Sequence, residues 1–238
     1  MPQVKRCGQL WPQWASVGSV PSTGLPALIR TTRRKKRRDW LRQTAAQHED
    51  WLLVEEDECW FSRFAQPQAH AWAAHDEALR LYQREARRDE VDKALACCGA
   101  VRQDTDEVLL YFSDGQPNSL QQWMFIVALL AVARAEGKRV VAIIWDNASW
   151  HKSKDIRAWI RAYNRAANAE GHPRLLTHLL PTKSPWLNPI EPRWVHAKRG
   201  VLEPKEDLTA MELRRRLCVH FQTQSFFNAF NLSALNLH

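Results

Sequence analysis

The sequence predicts an α/β sandwich in which one sheet mixes antiparallel and parallel strands and helices cover it. Three observations predict this class. Strand-like segments dominate the first part of the regular region, and helical periods then alternate with short apolar runs. One of those runs, VVAIIW at residues 140–145, is six apolar residues in succession, as expected of a strand buried on both faces.

The elements follow in order. Residues 1–50 read as a basic, poorly ordered extension, with a cationic block at residues 33–38 (RRKKRR) leading into a short helix at 39–48. Residues 51–61 (WLLVEEDECWF) have β-favouring ends and an apolar start, and 93–101 and 108–112 read as further strands, the last closed by a turn at Asp114-Gly115. A helix begins at Ser119, which can form a capping box with Gln122. Leu120, Trp123, Met124, Val127, Leu130 and Ala131 keep its period, and Gly137 suits its end. After the strand at 140–145, a second helix starts near Ser153, shows Ile156, Trp159, Ile160 and Tyr163 on one face, and ends around Gly171 and Pro173. Residues 175–180 make a short strand and 182–188 a loop. Pro189 opens a helix to about Lys198, residues 211–221 form a last helix, and 223–238 are a tail.

Composition narrows the function. No apolar run is long enough to span a bilayer, and the N-terminus lacks a secretory pattern. The five cysteines are odd in number and lack CxxC spacing, which fits a reducing cytoplasm better than a disulfide framework or a zinc site. The net charge of +8 is unevenly spread. Residues 1–50 hold ten Lys/Arg against three Asp/Glu, residues 51–151 hold ten against sixteen, and residues 152–238 hold fourteen against seven. An acidic segment between two basic ones suits a polyanion-binding protein with a carboxylate metal site, although a solvated charged surface reads the same way.

Carboxylates at three places could carry chemistry. Asp146 follows directly on a buried strand, at the carboxyl end where open α/β sheets bind ligands, though an Asp-Asn pair there also serves as a plain turn. Four acids, Glu55 to Glu58, sit mid-strand. Alternation puts Glu55 and Asp57 on the face of Leu53, and Glu56 and Glu58 on the face of Leu52 and Val54. At least one must face inward and be paired, protonated or metal-bound, unless the strand is an exposed edge. Glu191 lies in the first turn of its helix, favoured there by the macrodipole, with Lys183, Arg193, Lys198 and Arg199 around it for phosphate contact. Carboxylates from separate elements are what two-metal phosphoryl chemistry needs, with two Mg²⁺ about 4 Å apart. No glycine-rich phosphate loop occurs, so no nucleotide cofactor is expected.

The stretch IWDNASWHKS at residues 144–153, followed by SPWLNPIEPRW at 184–194, resembles the DDE transposases of bacterial insertion sequences related to mariner elements. EDECWFSR at 56–63 is similar to that family's first-strand motif. The resemblance runs from roughly Arg33 to Thr209. It implies an RNase H-like fold over residues 51–222, with Asp57, Asp146 and Glu191 as the catalytic acids and ligands of two Mg²⁺, replaceable by Mn²⁺. It also implies nicking of transposon ends and strand transfer by the freed 3′-hydroxyl. DNA is the expected partner, with a homodimer when active and no membrane. Arg33, Arg34, Lys35, Lys36, Arg37 and Arg38, with Lys183, Arg193 and Lys198, are the expected DNA contacts. Asn147, His151 and Asn188 are expected in support: Asn147 and His151 to orient Asp146 or touch DNA, Asn188 to hold its loop. Trp186 and Trp194 read as core or loop anchors.

Two features depart from that pattern. No helix-turn-helix for end recognition is visible before residue 51, and Asp146 and Glu191 are separated by forty-four residues, longer than the usual mariner gap. A truncated DNA-binding relic is therefore the alternative reading. A glycosidase using paired carboxylates is a distant third, disfavoured by the basic flanks and the third acid.

Overall fold

The computed structural model describes residues 5–6, 25–64, 72–73, 94–115, 117–201 and 207–223. Residues 1–4 and 7–24 of the expected N-terminal extension, and 224–238 of the expected tail, lie outside these. Five strands form one mixed sheet: β1 (Trp51–Ser62), β2 (Ala94–Arg102), β3 (Val108–Asp114), β4 (Val140–Trp145) and β5 (Arg174–Leu179). Their order across the sheet is β3-β2-β1-β4-β5. The pairs β1–β2 and β2–β3 are antiparallel, and β1–β4 and β4–β5 are parallel. Lys5–Arg6 and Trp72–Ala73 form a separate antiparallel pair of two-residue strands.

Helices α1 (Leu25–Ala46), α2 (Ser119–Ala135), α3 (Lys154–Glu170), α4 (Ile190–Val201) and α5 (Ala210–Phe221) flank the sheet. Strand alternation sorts the core into two sides. Leu52, Val54, Val141, Ile143 and Trp145 pack with Phe125, Ile126 and Leu129 of α2 and Ile156 and Ile160 of α3. On the other side Cys59, Phe61, Leu95 and Cys97 meet Ile190, Trp194 and Ala197 of α4 and Leu213 and Leu217 of α5, while Leu53, Ala142 and Ile144 meet Leu41 of α1.

Local chemistry sets the helix ends. Asn118, not Ser119, caps α2, its Oδ1 accepting from Gln121 N–H at 2.9 Å, and Ser119 is the first helical residue. Ser153 caps α3 through Ile156 N–H at 3.1 Å, and Gly171 closes it at φ +68°.

The acid-bearing strand β1 is the middle of the five, which removes the exposed-edge alternative and agrees with inward-facing acids. One expectation changes here. Residues 25–46 form one continuous helix on the sheet, where the sequence suggested a poorly ordered segment and a short helix at 39–48. The reason is tertiary. Two arginines of the cationic block turn inward: Arg38 bonds Glu55 Oε1 at 2.9 Å, and Arg34 bonds Asn147 Oδ1 at 2.8 Å and the Leu180 carbonyl at 3.1 Å. They lie four apart on the helix face that also carries Leu41 and Ala45.

Candidate active site

Each of the four consecutive acids of β1 has a different fate. Glu55, 2% exposed, is enclosed by Arg38 and Arg42 of α1. Glu56 and Glu58 point to the side of α2 and α3, and Asp57 to the side of α4, as alternation requires. At the end of the parallel neighbour β4, Asp146 comes alongside Asp57. Glu191 arrives in the first turn of α4.

Packing brings α4 to that place. In the β1–β2 ladder Asp57 pairs with Gly99. A Cβ at Gly99 would collide with the Trp194 indole and come within 2.8 Å of Ile190 Cδ1. The bare backbone therefore seats α4 directly opposite Asp57. Before α4, Asn188 is buried, its Nδ2 donating to the Glu56 carbonyl at 2.9 Å, while Glu191 N–H bonds the Asn188 carbonyl at 3.3 Å. Trp194 is core, as the sequence suggests. Trp186 is not: it stands 77% exposed on the turn Pro185–Leu187, because Leu187 of that turn supplies the inward contact.

The electrostatics tie Asp57, Asp146 and Glu191 together. Burial, with the charges of Glu191, Glu58 and Asp146, pushes the Asp57 carboxyl well above the usual range. Burial and Asp146 raise Glu191, and Lys198 partly offsets them. Asp146 differs. Burial would raise it, but the bond from His151 and the Ala148 N–H hold it below the ordinary value. The Ala148 N–H lies 2.7 Å from Asp146 Oδ1.

A second group closes the opposite side. The His151 side chain is fully buried and stacked on Trp145 at 4.5 Å. Its Nδ1 lies 2.9 Å from Asp146 Oδ1, and its Nε2 lies 2.9 Å from Glu58 Oε1 and 3.4 Å from Glu56 Oε2. Trp150 Nε1 donates to the same Glu58 oxygen at 2.6 Å. Burial alone would depress His151, but Asp146, Glu56 and Glu58 lift it to about 11. Burial and Glu58 push Glu56 well up despite His151.

Among the described residues, the sets whose donor atoms all approach within 4.8 Å are Glu58/Asp146/His151 and Glu56/Glu58/Cys98. In the first, both imidazole nitrogens already face carboxylate oxygens, so the ring donates rather than ligates. Asp57, Asp146 and Glu191 instead provide oxygen donors alone, and burial together with neighbouring carboxylate charge disfavours the ionised forms of Asp57 and Glu191. That donor set fits hard divalent cations.

The expected phosphate contacts divide. Lys198 follows Glu191 by two helical turns, sits beside it, and places its ammonium 5.6 Å from the Trp60 ring. Arg193, two residues on, points around the helix and binds Asp106 at 2.6 Å in the β2–β3 turn, away from the acids. Arg33, Lys35, Lys36 and Arg37 face solvent on α1, and Lys183 is exposed at φ +57°. Arg34 and Arg38 are engaged internally, and Asn147 links Arg34 to the Leu180 carbonyl. Glu58, Glu56, Trp150 and Gly99 were not singled out as functional by sequence reasoning. Alternation had assigned Glu56 and Glu58 their face, but nothing local signalled their distant partners.

Among the described residues no helix is long and apolar enough to cross a membrane. A comparison with curated protein sequences finds no match. Solved structures show the same fold. The chain is similar to the Mos1 mariner paired-end complex with Mn at TM-score 0.55 and 16% identity, covering 95% of this chain and 62% of that one. Against the Mos1 strand transfer complex the values are 0.54 and 17%, covering 88% and 58%. Against the catalytic domain of Mos1 mariner transposase they are 0.50 and 16%, covering 87% of each. The chain thus spans about three fifths of the Mos1 chains in those two complexes. The shared architecture is the RNase H-like fold, a five-stranded mixed sheet with helices on both sides. The family model for DDE superfamily endonucleases matches residues 52–212, a span that contains Asp57, Asp146 and Glu191, and the chain belongs to that family.

Proposed function

We propose that this chain is the catalytic part of a DNA transposase, nicking transposon ends and joining the freed 3′-hydroxyl to target DNA. The observation that carries the reading is the placement of Asp57 on β1, Asp146 directly after β4 and Glu191 in the first turn of α4, on one side of the sheet within a DDE endonuclease domain. Residues 51–222 form the catalytic unit. Asp57, Asp146 and Glu191 hold two divalent ions, Mg²⁺ with Mn²⁺ as a substitute. Bound there, the ions would activate the attacking water or 3′-hydroxyl and steady the leaving oxygen.

The remaining groups handle DNA. Lys198, next to Glu191, and Lys183, on the preceding loop, neutralise phosphate near the reacting strand. The outward cations of α1, Arg33, Lys35, Lys36 and Arg37, add a sequence-indifferent, salt-sensitive contact. Asn188 fixes the approach to Glu191 through the Glu56 backbone. Pairing of two ends calls for a homodimer, as the paired-end arrangement of Mos1 suggests.

The test is a plasmid nicking and strand-transfer assay with Mg²⁺ or Mn²⁺. The wild type is expected to nick and Asp146→Asn to lose nicking while still binding DNA. Salt-sensitive binding without metal-dependent nicking in the wild type would describe a DNA-binding relic instead.

A further inference from the structure

The loop that follows β4 is braced from behind. His151 sits on the side of α2 and α3, yet one of its nitrogens reaches the second catalytic acid, and the other reaches the residue that follows the first. Both partners are carboxylates, so the ring donates from both nitrogens. Stacking on Trp145 fixes the plane of the imidazole, and the Trp150 indole holds the far carboxylate. Asp146 Oδ1 thereby accepts from His151 and from the Ala148 N–H. Oδ2 is the oxygen left for a cation.

We propose that His151 and Glu58 are positioning residues of the endonuclease site: Glu58 orients the imidazole, and the imidazole locks Asp146 so that it ligates through Oδ2 alone. This rests on the transposase reading for its chemistry, but its geometry rests on His151 and Glu58, two side chains to which that reading gives no role. A metal-binding carboxylate held by an outer donor is a recurrent device, and losing such a donor costs about 10–100-fold in metal affinity or activity.

The experiment measures Mn²⁺ affinity of the DNA-free full chain by electron paramagnetic resonance, alongside metal-free DNA affinity and thermal melting. His151→Ala is expected to weaken Mn²⁺ binding about 10–100-fold with DNA affinity unchanged. Two further variants separate positioning from packing. An Asn side chain puts its donor near the position of Nδ1, facing Asp146, while a Gln reaches the position of Nε2, facing Glu58. His151→Asn should therefore retain more Mn²⁺ affinity than His151→Gln. If His151→Ala fails to fold, the Asn and Gln pair decides.

Mn²⁺ affinity unchanged in folded His151→Ala, or equal in the Asn and Gln variants, overturns the positioning role. A wild type that binds Mn²⁺ but never nicks DNA breaks the functional reading and leaves the positioning role standing on the affinity data. A wild type that takes up no Mn²⁺ overturns both.

Discussion

Two groups of carboxylates lie back to back across β1, and the fold treats them differently. Toward α2 and α3, Glu58 accepts from the His151 ring and the Trp150 N–H, while buried Glu56 approaches the ring at 3.4 Å without a hydrogen bond of its own. Toward α4, burial and the charges of Glu191, Glu58 and Asp146 raise Asp57, and burial and Asp146 raise Glu191, with Lys198 moderating it. The difference separates charge that the protein neutralises itself from charge that it concentrates for a ligand. Asp146 belongs to both groups, since its Oδ1 is held from behind while its charge acts on Asp57 and Glu191.

Removing the built-in partner should break the comparison most visibly. His151→Leu leaves Glu58 buried without its ring partner and is expected to lower stability by about 3–5 kcal/mol in urea unfolding. A loss under 1 kcal/mol would mean the buried charges are not paired as described. Next in size is Gly99→Val, which pushes Trp194 and Ile190 off β2. It should lower stability by about 1–3 kcal/mol and, by shifting Glu191, cut nicking by about 10²-fold. Wild-type nicking in that variant would show that the seat of α4 does not set the site.

The pH dependence follows from the same ion. His151 stays protonated in the folded state up to about pH 11, whereas the unfolded chain releases that proton near its ordinary value of 6.5. Its contribution is therefore complete below about pH 6.5 and is lost progressively as pH rises toward 11, at most ~1.4 kcal/mol per pH unit. Chemical unfolding between pH 7 and 9 should show a steeper decline for the wild type than for His151→Gln, and equal slopes would contradict the assignment. The smallest effect is a gain. Asp57→Asn removes a carboxylate that burial and its neighbours disfavour, so in metal-free buffer it should melt higher, by about 2–4 °C per kcal/mol relieved. A lower melting temperature would show that Asp57 is already compensated within the protein.

Much of this was legible in the sequence. The VVAIIW run marked a strand buried on both faces, and alternation assigned each of Glu55 to Glu58 its face. Asp146 and Glu191 stood at a strand end and in a helix's first turn, places that local rules recognise. What escaped depends on partners distant in the chain. The inward register of α1 is hidden because Arg34 and Arg38 look like part of a solvated cationic run until Asn147 and Glu55 are beside them. The brace on Asp146 joins Glu58 to a histidine 93 residues away, and no local period encodes that. Arg193 looked like a phosphate contact because it is near Glu191 in sequence, but two residues along a helix turn a side chain to roughly the opposite side.

The central claim is that the cation belongs to the side of Asp57 and not to the side of Glu56. Mn²⁺ titration by calorimetry of the wild type, Asp57→Asn and Glu56→Gln tests it most directly. The account predicts strong heat of binding for the wild type and for Glu56→Gln, and none for Asp57→Asn. Binding that survives in Asp57→Asn and disappears in Glu56→Gln would place the metal with Glu56, Glu58 and Cys98, and would contradict the account.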